Sequence, residues 1–569
     1  MTDIDGHSGD ESPLSGGNFR AEDLTKEQLT HLTVMSEREQ EIVKALESGG
    51  QRLLIGPRGS GKSTYLKLAY YEALDGDRVL PVYVNYSRSI SLEPEFRRSA
   101  RALPLFRQWV LAQIVRGLQI SMDELASEVP DEHEALFEAA AEYVSAIERQ
   151  RLSDAMETSF DVSQVLQILA DAAAVTGRKR VVLLLDDAAH AFAAEQQREF
   201  FEIFASLRSR WVSSKAAVYP GVTSYTPRFH IGHDAQLIDV WLRPDQTGYV
   251  EMMREIAQKR LSDEEFTQID KRDGLLEYLA LASFGIPRTL IMMLAQINEE
   301  TDANRLTGSR AISDNAIGDA AENAMKVFTS LEAKLPRYRN FVTVGNEFVS
   351  QSLEAIRKYN DSRASTGQEG RANRIWIEEP VPAEVQRIFG FLEYAGVVRQ
   401  QGTSVSQGGR SYRVLVPHYG LLVSHTALGL GRNPSIASAI AALSSRQHSA
   451  RVRRKLSSLL GSDFQSRCRL DLGDCANCGA QRENPEARFC ANCGAQLSQA
   501  SVFEELLDTD VESLPLSAAL LVRVRDHSDI RKIKHIIVDE ENQRLLQVPY
   551  IGPQRASRIR LLAEEFVYE

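Results

Sequence analysis

The stretch Gly56-Pro57-Arg58-Gly59-Ser60-Gly61-Lys62-Ser63 follows an apolar run at residues 53–55 and precedes a helical pattern at residues 64–74. Glycines let such a loop curl until successive backbone N–H groups converge on phosphate oxygens, and the following helix adds its positive N-terminal end. Lys62 is expected to reach the β- and γ-phosphates, while Ser63 supplies a hydroxyl ligand to Mg²⁺ and Thr64 stiffens the turn. This order of strand, loop and helix predicts a Walker A nucleotide site; the alternative interpretation is a flexible glycine turn.

Composition limits what kind of protein carries this loop. A length of 569 residues exceeds what one hydrophobic core usually supports, which predicts three or more domains. With 43% hydrophobic and 25% charged residues, and no apolar run near eighteen residues, no membrane span is expected. The acidic, polar N-terminus resembles neither a signal nor a transit peptide, so a cytoplasmic protein is expected. A net charge of −12 argues against indiscriminate nucleic-acid binding by the whole molecule, but not by a local basic patch.

A second nucleotide signal is the apolar run at residues 181–185, which ends in Asp186 and Asp187. A continuous apolar run is typical of a buried parallel strand, and ligands sit at the carboxyl edge of such sheets. Asp186 is expected to hold Mg²⁺, directly or through water, and Asp187 to orient or deprotonate the attacking water. The pattern is that of a Walker B motif, with a solvated acidic turn as the alternative.

Three later features complete a resemblance to a known family. Residues 215–224 are predicted to form a strand that ends in small hydroxyl residues, residues 235–242 a fifth strand, and Gly285-Ile286-Pro287-Arg288 falls among helical patterns. With the two nucleotide motifs, this order resembles the AAA+ and STAND ATPases, particularly the branch similar to origin-recognition initiators. The resemblance covers residues 30–330 and implies ATP with Mg²⁺ as cofactors.

The same resemblance suggests roles for individual residues. Thr223 or Ser224 stands at the sensor 1 position, where the family often has Asn. Arg288 matches sensor 2 and is expected to couple nucleotide state to the angle of a helical lid. Arg228 is placed like an arginine finger that acts on the ATP of a neighbouring subunit, which implies a homo-oligomer. A surface arginine remains the alternative for Arg288, and a solvated loop arginine for Arg228.

Beyond the lid, a helical pattern at residues 384–396 and strand patterns at 397–399 and 412–416 are similar to a winged-helix domain. Such wings bring basic side chains to a DNA backbone, and the candidates are Arg399, Arg410 and Arg413. A protein-docking role is the alternative. The basic stretch at residues 451–455 is predicted to be a helix that follows DNA phosphates, unless it is only a solvated face.

Four of the five cysteines form two CxxC pairs, Cys475 with Cys478 and Cys490 with Cys493. Four thiolates can close a tetrahedral Zn²⁺ site, so the segment resembles a zinc ribbon. It is too short to fold on apolar burial, so the metal is expected to supply its stability. A redox dithiol is the competing interpretation. Cys468 stands outside the spacing and is expected to be a spare thiol.

The C-terminal residues 545–560 resemble a helix-hairpin-helix motif, which presents backbone N–H groups and a helix N-terminus to a DNA phosphate. Gly552, Ala556 and Ile559 match that pattern, whereas Tyr550 replaces the first hairpin glycine. Arginines at positions 555, 558 and 560 are expected to add sequence-independent attraction to DNA. The alternative is a helical hairpin for subunit packing.

The expected fold class is α/β: a P-loop NTPase parallel sheet with a helical lid, then a winged helix, a zinc ribbon and a small helical domain. The expected boundaries are a disordered tail at 1–25, an ATPase core at 26–245 with a helical insertion at about 93–175, a lid at 246–330, a winged helix at 331–430, a basic helical linker at 431–470, a zinc ribbon at 471–500 and a helix-hairpin-helix at 501–569.

The leading functional hypothesis is an ATP-hydrolysing enzyme that assembles on or remodels DNA, in genome maintenance or in defence against foreign DNA. The alternatives are a nucleotide-held signalling switch that senses a protein or nucleic-acid trigger, and a loader for a partner enzyme.

Overall fold

The computed structural model describes most of the chain. The described residues are 20–21, 24–87, 102–128, 131–148, 159–187, 194–303, 309–406, 408–431, 434–445, 450–475, 477–482, 487, 489–495, 497, 502–516, 518–539 and 541–568. The predicted tail at residues 1–25 therefore lies largely outside the described residues.

The elements alternate between strands and helices in the first half of the chain and are mainly helical in the second. The strands are β1 (Arg52–Ile55), β2 (Val79–Asn85), β3 (Arg180–Asp186), β4 (Val212–Val218), β5 (Gln236–Asp239), β6 (Ile375–Glu378), β7 (Val398–Val405), β8 (Ser411–Pro417) and β9 (Val452–Arg454). The first twelve α-helices are α1 (Lys26–Leu32), α2 (Glu37–Glu47), α3 (Lys62–Asp75), α4 (Ala102–Glu124), α5 (Glu134–Glu148), α6 (Val162–Val175), α7 (Ala194–Ser206), α8 (Tyr249–Arg260), α9 (Asp263–Asp270), α10 (Leu275–Ala282), α11 (Pro287–Ala303) and α12 (Ser309–Thr329). The remaining ones are α13 (Leu331–Lys334), α14 (Arg339–Ser365), α15 (Ala383–Tyr394), α16 (Tyr419–Ser424), α17 (Ile436–Leu443), α18 (Leu456–Leu460), α19 (Phe464–Arg467), α20 (Val502–Leu507), α21 (Ala518–His527), α22 (Lys534–Ile537), α23 (Gln543–Leu546) and α24 (Pro553–Tyr568).

The first five strands form one parallel sheet in the order β2-β3-β4-β1-β5. Strand β1, which leads into the glycine loop, lies between the central strand β4 and the edge strand β5, so the loop emerges at the carboxyl edge one strand from the side of the sheet. Strand β3 ends at the same edge, because all five strands run in the same direction. The expected α/β class with a parallel sheet behind the glycine loop is confirmed.

Helices cover both faces of this sheet. Side chains alternate along each strand, so Leu53 and Leu183 enter the core shared with α4 to α7, while Leu54 and Leu184 enter the core shared with α1 to α3. Helix α4 packs so closely on β2 that a Cβ added at Gly117 would lie 2.7 Å from the carbonyl oxygen of Tyr83. This two-sided burial explains why the strands are apolar throughout.

The second sheet, in the order β7-β8-β6-β9, lies beyond the helices that follow β5. Strands β6, β7 and β8 pair antiparallel, and β9 adds to β6 in parallel. The basic stretch at residues 451–455, which was expected to be helical, contains edge strand β9 instead. Val452 is fully buried there, while the next residue, Arg453, is exposed. Burial that changes from one residue to the next fits a strand, and the stretch is too short to bury one face of a helix.

One continuous core joins the lid helices to the second sheet, running from Tyr219 to Cys468. A separate core holds the C-terminal helices α20 to α24 and the segments between them together, and Ala333 of helix α13 packs against it. No described helix combines the length and the apolar character that crossing a lipid bilayer requires.

Candidate functional site

The glycine loop depends on two left-handed residues. Gly59 has φ 79° and Gly61 has φ 91°, conformations that side-chain-bearing residues rarely adopt. Gly59 also allows close approach, because a Cβ there would lie 2.9 Å from the Cβ of Arg288. Helix α3 begins directly after Gly61, so its N-terminal amides point into the loop. The geometry is that of an anion cradle.

Lys62 is buried and folds back onto its own loop. Its Nζ donates to the carbonyl oxygens of Gly56 and Pro57, at 3.1 Å each. The same ammonium lies 3.8 Å from the centroid of the Tyr219 ring, a cation–π contact. Lys62 is thus held at the loop by these carbonyl oxygens and by the Tyr219 ring. Ser60 stiffens this arrangement by donating to the Pro57 carbonyl at 2.8 Å.

Asp186 ends strand β3 and is fully buried. Tyr83 donates its hydroxyl to the carboxylate at 2.8 Å, and Ser63 also hydrogen-bonds to it. Burial, and secondarily the neighbouring charge of Asp187, raises the pKa of Asp186 to about 7. The structure therefore brings together the two predicted magnesium ligands, a hydroxyl and a carboxylate, which are oxygen donors that Mg²⁺ prefers.

Asp187 adopts a left-handed backbone, with φ 49°, which is unusual for a residue with a side chain. Its carboxylate accepts a hydrogen bond of 3.2 Å from the hydroxyl of Tyr219. Such a conformation persists where surrounding contacts fix it, and it is a common feature of functional sites. Tyr219 thus links the predicted catalytic carboxylate to the loop lysine.

Sequence reasoning missed Tyr219. Strand β4 ends at Val218, earlier than the predicted end at residue 224, because Pro220 and Gly221 turn the chain. Tyr219 is therefore the first residue past the strand and sits at its tip. The signal that could have identified Tyr219 is its position, since it is an aromatic residue with a hydroxyl directly after a buried strand.

The two predicted sensor 1 residues lie further along the turn. The Thr223 hydroxyl donates to the Tyr219 carbonyl at 2.8 Å and accepts from the Tyr219 N–H at 3.0 Å. The Ser224 N–H donates to the Gln197 side chain at 2.7 Å. Thr223 thus shapes the backbone that carries Tyr219, and Ser224 anchors the turn to helix α7.

Arg288 lies against the glycine loop, at the start of helix α11. Its guanidinium contacts the Glu565 carboxylate at 3.1 Å. Arg58 lies nearby, donating to the main-chain carbonyl of Glu565 at 3.1 Å. Glu565 belongs to the last helix of the chain, and no sequence signal connected it with the loop. Arg228, by contrast, is exposed on the turn before β5, where a second subunit could reach it.

The four cysteines of the CxxC pairs also converge. Their sulfurs lie within 4.8 Å of one another, with Cys475 and Cys493 at 3.6 Å and Cys478 and Cys490 at 3.7 Å. A tetrahedral zinc site with Zn–S bonds of about 2.3 Å separates its sulfurs by about 3.8 Å. The donor set and spacing fit Zn²⁺.

Amide groups favour the thiolate form within this cluster. The Asn477 side chain, followed by the backbone at Ala495, lowers the pKa of Cys493 to about 6. Asn492 donates to Cys478 at 3.7 Å in the symmetric position, although hydrogen bonds shared with the Cys493 and Cys490 sulfurs outweigh the backbone at Ala480 and this amide and raise the pKa of Cys478 to about 11. Each knuckle is closed by a backbone bond, from Gly479 to Cys475 and from Gly494 to Cys490. A metal needs deprotonated sulfur, which these donors help to provide.

The candidate DNA-binding arginines divide into buried and exposed ones. Arg399 is buried and pairs with Asp239 at 2.9 Å, so it joins the wing to strand β5 and is not available to a DNA backbone. Arg413 pairs with Glu379 at 2.9 Å, and Arg560 with Glu564 at 2.9 Å. Arg410 is exposed on the wing. The assignment of Arg399 to DNA is therefore wrong for this arrangement of domains.

The C-terminal hairpin exposes its tip. Tyr550 is 81% exposed and has φ 66°, so it adopts the left-handed conformation of the glycine that it replaces. Arg555 donates to its carbonyl at 3.1 Å, and Arg523 lies 5.2 Å from its ring centroid. Ala556 and Ile559 are buried behind the turn, as their place in the motif requires.

Comparison with known proteins gives matches among solved structures. No family model and no curated protein matches the chain. It is similar to Cdc6p from Pyrobaculum aerophilum, with a TM-score of 0.29 and 12% identity over 70% of this chain and 97% of that one. It is also similar to the Aeropyrum pernix ORC1 protein in complex with DNA, with a TM-score of 0.27 and 16% identity over 69% and 92%. A third match is Drosophila ORC bound to DNA, with a TM-score of 0.28 and 14% identity over 70% and 95%.

The three matches each cover more than nine tenths of the matched chain, at identities of 16% or less. Because their TM-scores lie below 0.5, the function of this chain has to be inferred from its own residues.

Proposed function

We propose that this protein is an ATP-binding and ATP-hydrolysing P-loop enzyme. The observation that carries the proposal is the meeting of Lys62, Ser63 and the Asp186–Asp187 pair at one sheet edge, beneath a left-handed glycine loop. A lysine, a hydroxyl and two carboxylates at the carboxyl ends of β1 and β3 are the groups that phosphoryl transfer to water requires.

Each residue has a role that follows from its position. The loop amides and Lys62 bind phosphate oxygens, while Ser63 and Asp186 hold Mg²⁺, which neutralises phosphate charge when bound. Asp187 orients the attacking water, and the Tyr219 hydroxyl fixes the direction of that carboxylate. Arg288 contributes positive charge from the lid side of the loop. Arg228 acts in the neighbouring subunit of a homo-oligomer, and Thr223 and Ser224 support the turn that carries Tyr219.

Replacement of Asp187 tests this assignment. Asp187→Asn keeps the side-chain shape but removes the charge that orients water, so turnover should fall by roughly a hundredfold or more while ATP stays bound. Asp234→Asn is the matched control, because Asp234 caps an exposed turn away from the loop. ATP turnover and retention of labelled ATP are the measurements; normal turnover in Asp187→Asn would exclude the assignment.

We further propose that the ATPase works on DNA without sequence preference. The supporting features are basic groups on two modules: the exposed Arg410 and Arg453 on the second sheet, and the half-buried Arg555 beside the C-terminal turn. In this proposal the backbone N–H group of Gly552 and the N-terminus of helix α24 bind a DNA phosphate. The cysteine cluster, holding Zn²⁺, lies between these modules in the chain.

A salt titration tests the DNA proposal. Binding of duplex and single-stranded DNA should weaken steeply with salt, because each neutralised phosphate releases counterions. Truncation after residue 500 should lower the affinity without changing ATP binding. Absence of binding at low salt in the full-length protein would assign the C-terminal modules to a partner protein or effector enzyme instead.

The second candidate is a nucleotide-held switch with little turnover. One observation favours it: Lys62, Asp187 and Arg288 all have internal partners, Tyr219 and Glu565 among them. ATP turnover with and without DNA separates the candidates. Strong stimulation supports the DNA-dependent ATPase, whereas slow turnover that DNA does not change supports the switch.

A further inference from the structure

Glu565 lies in the last turn of helix α24, yet it contacts the nucleotide site. Its side chain is 9% exposed and lies among three arginines. Arg288 is at 3.1 Å, Arg20 at 3.5 Å and Arg58 at 3.8 Å from its carboxylate oxygens. A buried carboxylate is costly unless it is paired, so this cluster is what allows Glu565 to be buried here.

The end of helix α24 is tied to the same place through its backbone. The last four carbonyl groups of a helix have no partner within it, and that of Glu565 is one of them. Arg58 donates to this carbonyl at 3.1 Å, and a cation at a helix C-terminus is also favoured by the helix dipole. Helix α24 therefore ends on the glycine loop.

Two of the three arginines belong to the site where phosphate is expected. Arg58 is a residue of the glycine loop itself, and Arg288 packs on Gly59 of that loop. Guanidinium groups bind carboxylates and phosphates with the same forked geometry. An acidic side chain of the C-terminal domain thus occupies cations that a nucleotide phosphate would also use.

We propose that Glu565 stands in for a nucleotide phosphate on Arg58 and Arg288, so that ATP and the C-terminal domain compete for these arginines. ATP binding then releases helix α24 from the glycine loop, and docking of α24 weakens ATP binding. The inference rests on the proposed nucleotide site and adds the group that regulates it.

The C-terminal domain has its own core, so it can move away from the glycine loop as one unit. Its core comprises residues of α20 to α24 and of the segments between them, and Ala333 of helix α13 packs against it. Its junction with the lid is loosely packed, with a cleft of about 100 Å³ that Arg58, Arg288, Leu562 and Phe566 help to line. The Lys334 ammonium also lies 5.5 Å from the ring centroid of Phe566. When the arginines change partner, the contacts that must also break are the apolar ones around this cleft and the bond from Arg20 to the Leu561 carbonyl oxygen.

Release of helix α24 from the glycine loop would also move the proposed DNA-binding hairpin. Helix α24 has 16 residues and is about 24 Å long, with Glu565 near one end and the turn at Tyr550 to Gly552 at the other. A single continuous helix transmits displacement of one end to the other. Docking at the glycine loop thus fixes where the hairpin points.

Nucleotide affinity of charge variants tests the proposal. Glu565→Gln keeps the shape of the side chain but removes its charge, and Glu564→Gln is the matched control on the same turn, paired with Arg560 and outside the glycine loop. Binding of a fluorescent ATP analogue with Mg²⁺ should tighten about tenfold or more in Glu565→Gln, because a charge-assisted bond shifts an equilibrium by at least that factor. It should stay within twofold of the unmodified protein in Glu564→Gln.

Hydrogen exchange of the unmodified protein provides a second measurement that does not depend on a variant folding. Saturating Mg²⁺-ATP should speed exchange in the last turn of helix α24, where the docking contacts are lost, whereas the Lys62→Ala protein should show no change. Equal ATP affinity in the Glu565→Gln and unmodified proteins, or unchanged exchange in α24 with ATP bound, would overturn the competition while leaving the nucleotide site intact. Absence of ATP binding in every protein would overturn the proposed function and this inference with it.

Discussion

The glycine loop and the cysteine cluster are the two sites with the most specific sequence motifs, and they are held in place in different ways. The loop stands on a five-stranded sheet with apolar cores on both faces, and Asp186 beside it is fully buried. In the cysteine cluster, Cys478 and Cys493 are exposed, as is the neighbouring Phe489 at 61%.

A core that exists for other reasons can hold a binding site ready before its ligand arrives. A short segment without such a core has to take its order from the ligand itself. We therefore expect the nucleotide site to keep its shape without nucleotide, and the cysteine cluster to lose its shape without metal. Four experiments test this difference between the two sites.

Lys62→Ala should have the largest effect. ATP binding should weaken about a hundredfold or more, since charge-assisted bonds to phosphate contribute about 1.5–3 kcal/mol each. The metal content should not change, because the lysine lies in a separate core. Nucleotide titration and metal analysis are the two measurements. ATP affinity equal to that of the unmodified protein would show that the loop does not bind phosphate through Lys62.

Metal removal should affect only the cysteine cluster. The purified protein should contain about one Zn²⁺ per chain, and Cys478→Ser should reduce this to below a tenth. Cys468→Ser is the matched control, since Cys468 is buried outside the cluster and burial raises its pKa to about 11. ATP affinity should be equal in both variants. Full metal content in Cys478→Ser would contradict the four-sulfur site.

Acidification should weaken Mg²⁺ binding at the nucleotide site. Burial raises the pKa of Asp186 to about 7, and Mg²⁺ needs the carboxylate, so its affinity should fall up to about tenfold per pH unit below 7. The same shift means that the folded protein binds this proton more tightly than the unfolded chain does. The stability of the nucleotide-free protein should therefore fall as pH rises from about 4 to about 7.

Mg²⁺ titrations of ATP binding from pH 5.5 to 8 measure the change in Mg²⁺ affinity. Urea unfolding at the same pH values measures the change in stability. Both measurements are made on the unmodified protein and on Asp186→Asn. Both slopes should disappear in Asp186→Asn. Persistence of the slopes in that variant would assign them to another group.

Tyr219→Phe should have the smallest effect. The ring that contacts Lys62 is kept, so ATP affinity should stay within twofold, whereas loss of the hydroxyl on Asp187 should lower turnover by roughly three- to fivefold. Tyr225→Phe is the control, since its ring stacks on Phe229 away from the loop. Faster turnover in Tyr219→Phe would show that the hydroxyl holds Asp187 in an inactive position.

The sequence predicted correctly those parts of the fold whose structure depends only on the residues of one short segment. The glycine loop needs left-handed residues at fixed positions, and a buried strand needs an unbroken apolar run, so both can be read without knowing what surrounds them. The two CxxC pairs are similar, because one metal geometry dictates their spacing. The stretch at residues 451–455 was misread as helical because its pairing partner, strand β6, is far away in the sequence.

What the sequence determined by itself was therefore the phosphate loop, the acidic strand end, the cysteine quartet and the α/β class. The tertiary structure alone decided that Tyr219 joins Lys62 to Asp187, that Arg399 is buried against Asp239, and that Glu565 lies on Arg58 and Arg288. The physical reason is distance along the chain. Residues 507 positions apart, such as Arg58 and Glu565, meet only through the packing of whole domains, which no periodicity or spacing within one segment encodes.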